Sequence, residues 1–188
     1  MALIPITPDR HGIELQMAYA GPDNFTGAPV YARAACYLHA EAEALLRRAV
    51  EMAGRIGFTF RVYDAFRPSE AQWKLWAHTP DPDFLADPRR GSPHSRGAAV
   101  DLTLIDSGGR PLDMGTPFDA FTPLSHHGNT GISAQAARNR ALLIGLMTTA
   151  GWDFYRNEWW HYQLFDARRL PLLSDSVLDE PMMTGAGP

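Results

Sequence analysis

The sequence predicts an α+β fold in a single domain, with a mainly antiparallel central sheet and helices packed on it. Two long segments have the period of amphipathic helices, and three short segments have the apolar patterns of strands. The connections between these strands do not resemble the regular crossovers of a parallel sheet, which favours α+β. A chain of 188 residues, 45% apolar and 20% charged, has the composition of one globular domain.

The first helix is predicted over residues 35–56, after an irregular, Pro- and Gly-rich segment at residues 1–34. Gly57 is the expected terminator. Cys36, the single cysteine, falls within this helical pattern, and we expect a buried, inert thiol there. The apolar face of the helix holds Leu38, Ala42, Leu45, Leu46, Ala49, Ala53 and Ile56, and the opposite face holds Glu41, Glu43, Arg47 and Arg48.

A strand and a short helix are predicted next. Alternating apolar residues from Phe58 to Tyr63 indicate the strand. Ser69 and Gln72 have the spacing of a capping box, so a helix is expected from there to about Trp76. Prolines and aspartates then predict a loop over residues 79–91.

In the second half of the chain, the sequence predicts two strands, a long loop and a helix. Residues 98–104 are expected to form a buried strand, and residues 105–131 a long functional loop or lid. Ser133 is expected to cap a helix that ends at Ala150, before Gly151. Residues 161–165 are predicted to form a last strand, and residues 170–188 a loose tail.

Reactive side chains concentrate in three short segments, residues 64–68, 92–101 and 158–161. His94, Asp101 and His161 offer two imidazoles and a carboxylate, which suit Zn²⁺. Three protein ligands with an open fourth position are typical of catalytic zinc, whereas structural zinc usually uses several cysteines and this chain has one. Glu158 stands beside His161, where it is available to act on water at the metal.

Each of these segments alone has an ordinary structural explanation, such as an edge strand with a hydrogen-bonded histidine or a surface arginine after a strand. The remaining histidines are expected to be structural or solvated, and His126 and His127 are the reserve candidates for a metal site: His11, His39, His78, His126 and His127.

The combination of segments resembles a known family. The pattern Ser-x-His-x-x-Gly-x-Ala-x-Asp from Ser92 to Asp101, with a later Glu-x-x-His, is similar to the zinc D,D-peptidases, whose fold is related to the hedgehog signalling domain. Further segments narrow the resemblance to the D-alanyl-D-alanine dipeptidases, from about Tyr19 to Phe165. They are Tyr19-Ala20, Asn24-Phe25-Thr26-Gly27, Asp64-Ala65-Phe66-Arg67-Pro68, Met114-Gly115-Thr116-Pro117-Phe118-Asp119, Asn129-x-Gly131-Ile132-Ser133 and Glu158-Trp159-Trp160-His161-Tyr162.

This resemblance implies a zinc enzyme that hydrolyses D-alanyl-D-alanine, with one Zn²⁺ per chain on His94, Asp101 and His161. A zinc-bound water attacks the peptide carbonyl, with Glu158 as general base and then acid, and Arg67 stabilises the oxyanion. Asp64 is expected to orient Arg67 or a metal ligand.

A dipeptidase must also recognise both charged ends of its substrate. We expect Asp119 to bind the ammonium group, Tyr19 to shape that end, and Ser92 to bind the carboxylate. Pro93 departs from the small polar residue expected there, and its missing N–H removes one backbone donor for the substrate.

Two alternatives remain open: a D,D-carboxypeptidase acting on cell-wall peptides, and a non-catalytic zinc-containing binding module. The pair Glu158 and Arg67 argues against pure binding. A net charge of −4 and the absence of a long apolar run give no reason to expect nucleic acid or membrane partners. The start of the sequence has no signal-peptide pattern, so the cytoplasm is the expected compartment. Nothing in the sequence selects an oligomeric state.

Overall fold

The protein is described by a computed structural model that covers residues 3–183. Its strands are β1 (Leu3–Pro5), β2 (Glu14–Leu15), β3 (Tyr37–His39), β4 (Thr59–Asp64), β5 (Ala99–Ile105), β6 (Asp153–Phe154) and β7 (His161–Gln163). Its helices are α1 (Pro8–His11), α2 (Ala40–Gly54), α3 (Ser69–His78) and α4 (Ala134–Ala150). Short 3₁₀ turns lie at Ala18–Ala20, His94–Arg96, Pro123–Ser125, Ala167–Arg169 and Asp175–Val177.

A central sheet organises these elements in the order β2-β4-β5-β7-β6. The edge pair β2–β4 is parallel and the other pairs are antiparallel, so the predicted α+β fold with a mainly antiparallel sheet is confirmed. Strands β1 and β3 form a separate antiparallel pair. Helices α2 and α4 pack against each other and share one apolar core with the sheet. Strand β5 lies at the centre, and all of its residues are buried.

An irregularity in β4 decides which side chains face which side of the sheet. Val62 pairs with Leu102, but Asp64 pairs with Asp101, so β4 has one more residue than β5 between these pairs. Val62 and Leu102 belong to the apolar core. Because side chains alternate along a strand, this bulge turns Asp64 to the side of Asp101, away from the core.

The first long helix starts later than the pattern predicted. Tyr37–His39 extend to pair with β1, so Cys36 precedes a strand and does not lie in a helix, although it is buried as expected. The helix ends at Gly54, which leaves Ile56 51% exposed instead of on the apolar face. Glu43, which was assigned to the charged face, is buried, and its carboxylate is hydrogen-bonded to His11 and Arg47.

The capping box predicted for α3 is wrong. Pro68 occupies the N-cap without a side-chain bond, and the helix continues to His78. The Ser69 hydroxyl instead donates to the carbonyl oxygen of Leu173, and Gln72 is buried among other partners described below. The cap predicted for α4 is confirmed, since the Ser133 hydroxyl accepts from the Ala136 N–H and Gly151 adopts the left-handed conformation.

The two ends of the chain are more ordered than the sequence indicated. The N-terminal segment contributes α1 and places β2 in the central sheet. Leu170 and Met182 are buried, and the Met182 N–H donates to Asp175, so the prediction of a loose tail is wrong for residues 170–183. Residues 184–188 of that predicted tail lie outside the described part of the chain. Between residues 3 and 183, no helix has both the length and the apolar character needed to cross a bilayer.

Candidate active site

Strand register brings the predicted site residues together. Strand β5 lies between β4 and β7, so Asp101 is the cross-strand partner of both Asp64 and His161. Paired residues on adjacent antiparallel strands have neighbouring side chains. His161 is therefore placed beside Asp101 by sheet pairing, although about 60 residues separate the two in sequence.

His94 reaches the same point from the 3₁₀ turn that precedes β5. The Ser92 hydroxyl accepts a hydrogen bond from the His94 N–H at 3.2 Å and steadies the start of this turn. Gly97 ends the turn with φ 64°, and a Cβ there would lie 2.5 Å from Cδ2 of Leu3. Both observations require glycine at this position, which explains why a small residue separates the two expected ligands.

Three potential ligand atoms form a nearly equilateral triangle. The distances are 3.0 Å from His94 Nε2 to His161 Nδ1, 3.1 Å from His161 Nδ1 to Asp101 Oδ1, and 3.3 Å from His94 Nε2 to Asp101 Oδ1. All three residues are buried. A tetrahedral site with metal–ligand bonds of ~2.0–2.1 Å has about 3.3 Å between its ligand atoms. The triangle therefore has the size of one face of such a site.

The outer hydrogen bonds of the two imidazoles determine which nitrogens carry protons. His94 Nδ1 lies 2.7 Å from the carbonyl oxygen of Ala65, which can only accept, so this nitrogen donates. His161 Nε2 lies 3.1 Å from Oε1 of Gln163 and donates in the same way. When both rings are neutral, the inward nitrogens present lone pairs beside a carboxylate oxygen. Three such acceptors at this separation need a shared proton or a metal cation between them, so the residues fit a metal ion.

The carboxylate of the triangle remains ionised. Burial alone raises the pKa of Asp101, but positive charge on His94, with hydrogen bonds from the rings of His161 and His94 when they carry protons on the inner side, outweighs burial and holds that pKa well below its ordinary value. Its second oxygen, Oδ2, lies 3.6 Å from Nη2 of Arg67. One carboxylate therefore links the metal triangle to the predicted oxyanion-stabilising arginine.

Arg67 is buried and held by several partners. Its Nε donates to Asp64 Oδ2 at 2.8 Å, and its guanidinium carbon lies 5.0 Å from the centre of the Tyr19 ring. Asp64 also accepts from the hydroxyl of Tyr31 at 2.9 Å, and burial raises its pKa. Asp64 therefore contacts Arg67 directly, while its nearest approach to His94 is 3.9 Å.

Glu158 lies at the edge of the triangle. Its Oε2 is 3.8 Å from Nδ1 of His161, and the side chain is 9% exposed. Burial, followed by the charges of Asp101 and Asp119, raises the pKa of Glu158 well above its ordinary value. A carboxyl group in this environment accepts and releases a proton closer to neutral pH than a solvated glutamate does.

These groups line a cavity of about 430 Å³, together with Tyr19, Ser92 and Asp119. Asp119 has φ 59°, and its Oδ2 has no hydrogen-bond partner among residues 3–183. Burial, followed by the charge of Asp101, raises the pKa of Asp119 to about 8. A buried carboxyl group that faces a cavity with one oxygen lacking a partner favours a cationic group beside it.

The wall of the cavity comes mainly from a segment that sequence reasoning treated only as a connection. We call residues 79–91 the wall loop; it contributes Pro82, Phe84, Leu85, Ala86, Asp87, Arg90 and Gly91 to the lining. The 105–131 loop, which was expected to cap the pocket, contributes Asp119 and Phe121. Both loops therefore enclose the site, and the rings of Phe84 and Phe121 stack at 5.0 Å.

Sequence reasoning missed several polar residues that support the site: Tyr31, Gln72 and Gln163. Gln163 had a readable signal, because it lies two residues after His161 in a strand and so shares its face. Tyr31 and Gln72 carried no such signal. The reserve histidines His126 and His127 do not join His94, Asp101 and His161 in the metal-ligand group found within residues 3–183. Trp159 and Trp160 are buried, and Trp160 lines the cavity.

Comparison with known proteins gives consistent matches. A family model described as D-ala-D-ala dipeptidase matches residues 2–182. The D-alanyl-D-alanine dipeptidase of Escherichia coli (strain K12) is 42% identical over 92% of this chain and 88% of its own length. Those of Enterococcus faecium and Enterococcus faecalis (strain ATCC 700802 / V583) are each 35% identical, over 83% of this chain and 88% of their own lengths.

Proposed function

The chain belongs to the D-ala-D-ala dipeptidase family, and from that premise we propose that it is a single-domain zinc enzyme that hydrolyses D-alanyl-D-alanine to free D-alanine. The observation that carries the proposal is the triangle of potential ligand atoms on His94, Asp101 and His161, with Glu158 and Arg67 beside it. This arrangement supports catalysis over binding alone, because a binding module needs neither a buried base nor a buried arginine next to the metal.

His94, Asp101 and His161 would hold one Zn²⁺ per chain. Two imidazoles and a carboxylate also occur in non-haem iron sites, but peptide hydrolysis needs no redox chemistry, which favours zinc. When bound, zinc supplies a Lewis acid that polarises a carbonyl and lets water lose a proton near neutral pH.

Glu158 is the proposed general base and acid. Its Oε2 lies 3.8 Å from a triangle atom, Nδ1 of His161, and burial raises its pKa above that of a solvated glutamate, which strengthens it as a base. In our proposal, it accepts the proton of the attacking water and later transfers a proton to the leaving amine. Because Glu158 is three residues from His161, the base stays close to the metal ligands.

Arg67 is the proposed donor to the oxyanion that develops on the peptide carbonyl. Its contact with Asp64 leaves other N–H groups available on the cavity side, and the buried position strengthens their electrostatic effect. Asp64 would act through Arg67 by fixing the orientation of the guanidinium. Because the guanidinium of Arg67 is already oriented before the reaction, it does not have to reorganise when negative charge develops on the carbonyl oxygen.

The two ends of the dipeptide find complementary groups in the cavity. Asp119 would accept hydrogen bonds from the substrate ammonium, and Tyr19 would form the wall at that end. The Ser92 hydroxyl would donate a hydrogen bond to the substrate carboxylate, since its oxygen already accepts one from the His94 N–H. A site that recognises a free amine favours a dipeptidase over a carboxypeptidase.

Replacing Glu158 by Gln tests the proposal directly. The amide keeps the shape of the side chain but cannot accept a proton, so turnover of D-alanyl-D-alanine should fall by ~10²–10⁴-fold. Metal analysis should show that the variant still binds one zinc per chain. The matched control is Glu51→Gln, on an exposed face of α2, for which we expect unchanged turnover.

The same assay distinguishes the competing enzyme activity. We expect D-alanyl-D-alanine to be hydrolysed faster than its N-acetylated form, which lacks the ammonium. A preference for the N-acetylated form would replace the dipeptidase proposal with a carboxypeptidase. Full turnover in Glu158→Gln would remove Glu158 from the mechanism.

A further inference from the structure

Gln72 is a buried polar residue that the proposed mechanism does not use. It lies in the first turn of α3 and is 1% exposed. Its Oε1 accepts from Nη1 of Arg67 at 3.0 Å, and its Nε2 donates to the carbonyl oxygen of Ala86 at 2.7 Å. A guanidinium only donates and a carbonyl only accepts, so the orientation of the amide is fixed by its partners.

The two partners belong to different parts of the site. Arg67 is the proposed oxyanion donor, and Ala86 lies in the wall loop that encloses the cavity. Gln72 therefore connects the wall loop directly to Arg67, the proposed oxyanion donor. A hydrophobic side chain here would leave a buried carbonyl and a buried guanidinium N–H without this partner.

The geometry of Arg67 explains why this contact matters for orientation. Asp64 holds Nε, and Gln72 holds Nη1. Two hydrogen bonds at different nitrogens restrain both the position and the rotation of the planar guanidinium, and they add to its longer contact of 3.6 Å with Asp101. The N–H groups that face the cavity are then directed by Gln72 as well as by Asp64.

The wall loop is held at other points too. The carbonyl oxygen of Asp83 accepts from the Tyr155 hydroxyl at 2.9 Å and from Nδ2 of Asn157 at 3.2 Å, and Phe84 stacks on Phe121. These contacts tie the loop to the β6–β7 connection and to the 105–131 loop. The Gln72 contact differs from them because its other partner is a proposed catalytic residue.

We propose that Gln72 is a positioning residue that couples the placement of the wall loop to the orientation of Arg67. The wall loop is correctly seated when Arg67 is aligned for reaction, and displacement of the loop disturbs that alignment. This inference rests on the proposed role of Arg67 in the hydrolysis of D-alanyl-D-alanine.

Two substitutions separate the two contacts. Gln72→Met has a similar length and removes both hydrogen bonds. Gln72→Glu keeps an acceptor for Arg67 but loses the donor to the Ala86 carbonyl. Gln135→Met is the matched control, because Gln135 is an exposed helical glutamine whose amide bonds only to neighbours on α4.

The experiment combines steady-state kinetics on D-alanyl-D-alanine with hydrogen exchange of the full zinc-loaded chain. We expect Gln72→Met to lower kcat by about 10- to 100-fold, with a smaller change in KM, because a displaced donor acts mainly on the transition state. Amides of the wall loop, such as those of Leu85 and Gly91, should exchange faster in both Gln72 variants. Gln72→Glu keeps the Arg67 contact but frees the loop, so it should also lose kcat, by a smaller factor than Gln72→Met. Gln135→Met should match the wild-type protein.

The inference is overturned by unchanged kcat in Gln72→Met, by a loss of kcat without faster exchange in the wall loop, or by full kcat in Gln72→Glu despite faster exchange in that loop. If Gln72→Met fails to fold, as judged by its melting temperature, the exchange and kcat of Gln72→Glu decide. Failure of the zinc-loaded wild-type protein to hydrolyse D-alanyl-D-alanine would instead refute the proposed function. Loop exchange would still test the structural coupling in that case.

Discussion

The floor and the wall of the same cavity are constructed differently. The floor, formed by His94, Asp101 and His161, is placed by strand pairing and by the turn that leads into β5. The wall loop contains no strand or long helix, and contacts from distant segments hold it in place, among them those of Gln72, Tyr155 and Phe121.

This difference separates two tasks. Chemistry needs atoms fixed to within fractions of an ångström, and backbone pairing in a buried sheet provides that. Substrate entry and product release need a boundary that moves, and a loop held by a few side-chain contacts provides that. We therefore expect changes in the floor to abolish activity and changes in the wall to shift substrate preference.

The largest effect is expected from Asp101→Asn in the floor. The substitution keeps the shape of the side chain but removes the negative charge that balances the metal and faces Arg67. Metal affinity should fall by more than ~10²-fold, since loss of a supporting partner alone costs 10–100-fold. Turnover should fall by at least about 10³-fold, because one preorganised group is already worth ~10²–10³.

Zinc content after dialysis and kcat/KM on D-alanyl-D-alanine measure this prediction. The matched control is Asp106→Asn, at the end of the same strand, where the side chain bonds only to its own turn. Normal zinc binding by Asp101→Asn would mean that strand register does not determine the metal site.

An intermediate effect is expected from Asp119→Asn, where the 105–131 loop meets the floor. Loss of the carboxylate leaves the substrate ammonium without its charged partner, which should raise KM by about 10- to 100-fold, in line with ~1–3 kcal/mol for an unpaired buried group. Asparagine tolerates the positive φ of this position. An unchanged KM would assign the ammonium to another group.

The same variant makes a prediction about pH. The pKa of Asp119 is raised from 3.8 to about 8, mainly by burial, so the folded protein favours the protonated form. This contribution to stability is complete below pH 3.8 and is lost as the pH rises toward about 8. Asparagine does not ionise, so in the metal-free protein the melting temperature of Asp119→Asn should rise relative to that of the wild-type protein as the pH increases from 3.8 to about 8. A constant difference in melting temperature would contradict the raised pKa.

The smallest effect is expected from Tyr155→Phe, which removes one of two hydrogen bonds to the Asp83 carbonyl of the wall loop. One hydrogen bond contributes ~1 kcal/mol, so the KM for D-alanyl-D-alanine should rise by up to about fivefold. The relative rate on N-acetyl-D-alanyl-D-alanine should increase, because a looser wall admits a longer substrate. Tyr37→Phe, whose hydroxyl bonds to Arg33 away from the cavity, is the control. A large fall in kcat would show that Tyr155 contributes more than a contact to the wall.

The sequence determined the site residues better than the boundaries of the secondary structure. The fold class, the α4 cap at Ser133 and the proximity of His94, Asp101 and His161 follow from local patterns and from the motif. The start of α2 and the caps of α3 do not, because pairing with β1 extends residues 37–39 and burial redirects Gln72. Local propensity is outweighed where a segment gains long-range partners.

The sequence by itself therefore determined which chemical groups this protein has, and it correctly predicted that His94, Asp101 and His161 lie together. The residue types of the ligands, their spacing and the presence of Glu158 beside His161 are local properties, so they can be recognised from the sequence alone. Tertiary structure alone decided how those groups are supported. It supplied the bulge that turns Asp64 toward Asp101, the outer partners that set the imidazole protons, and Gln72 between Arg67 and the wall loop. These contacts join residues that are distant in the chain, and only packing and hydrogen-bond satisfaction in the folded state select them.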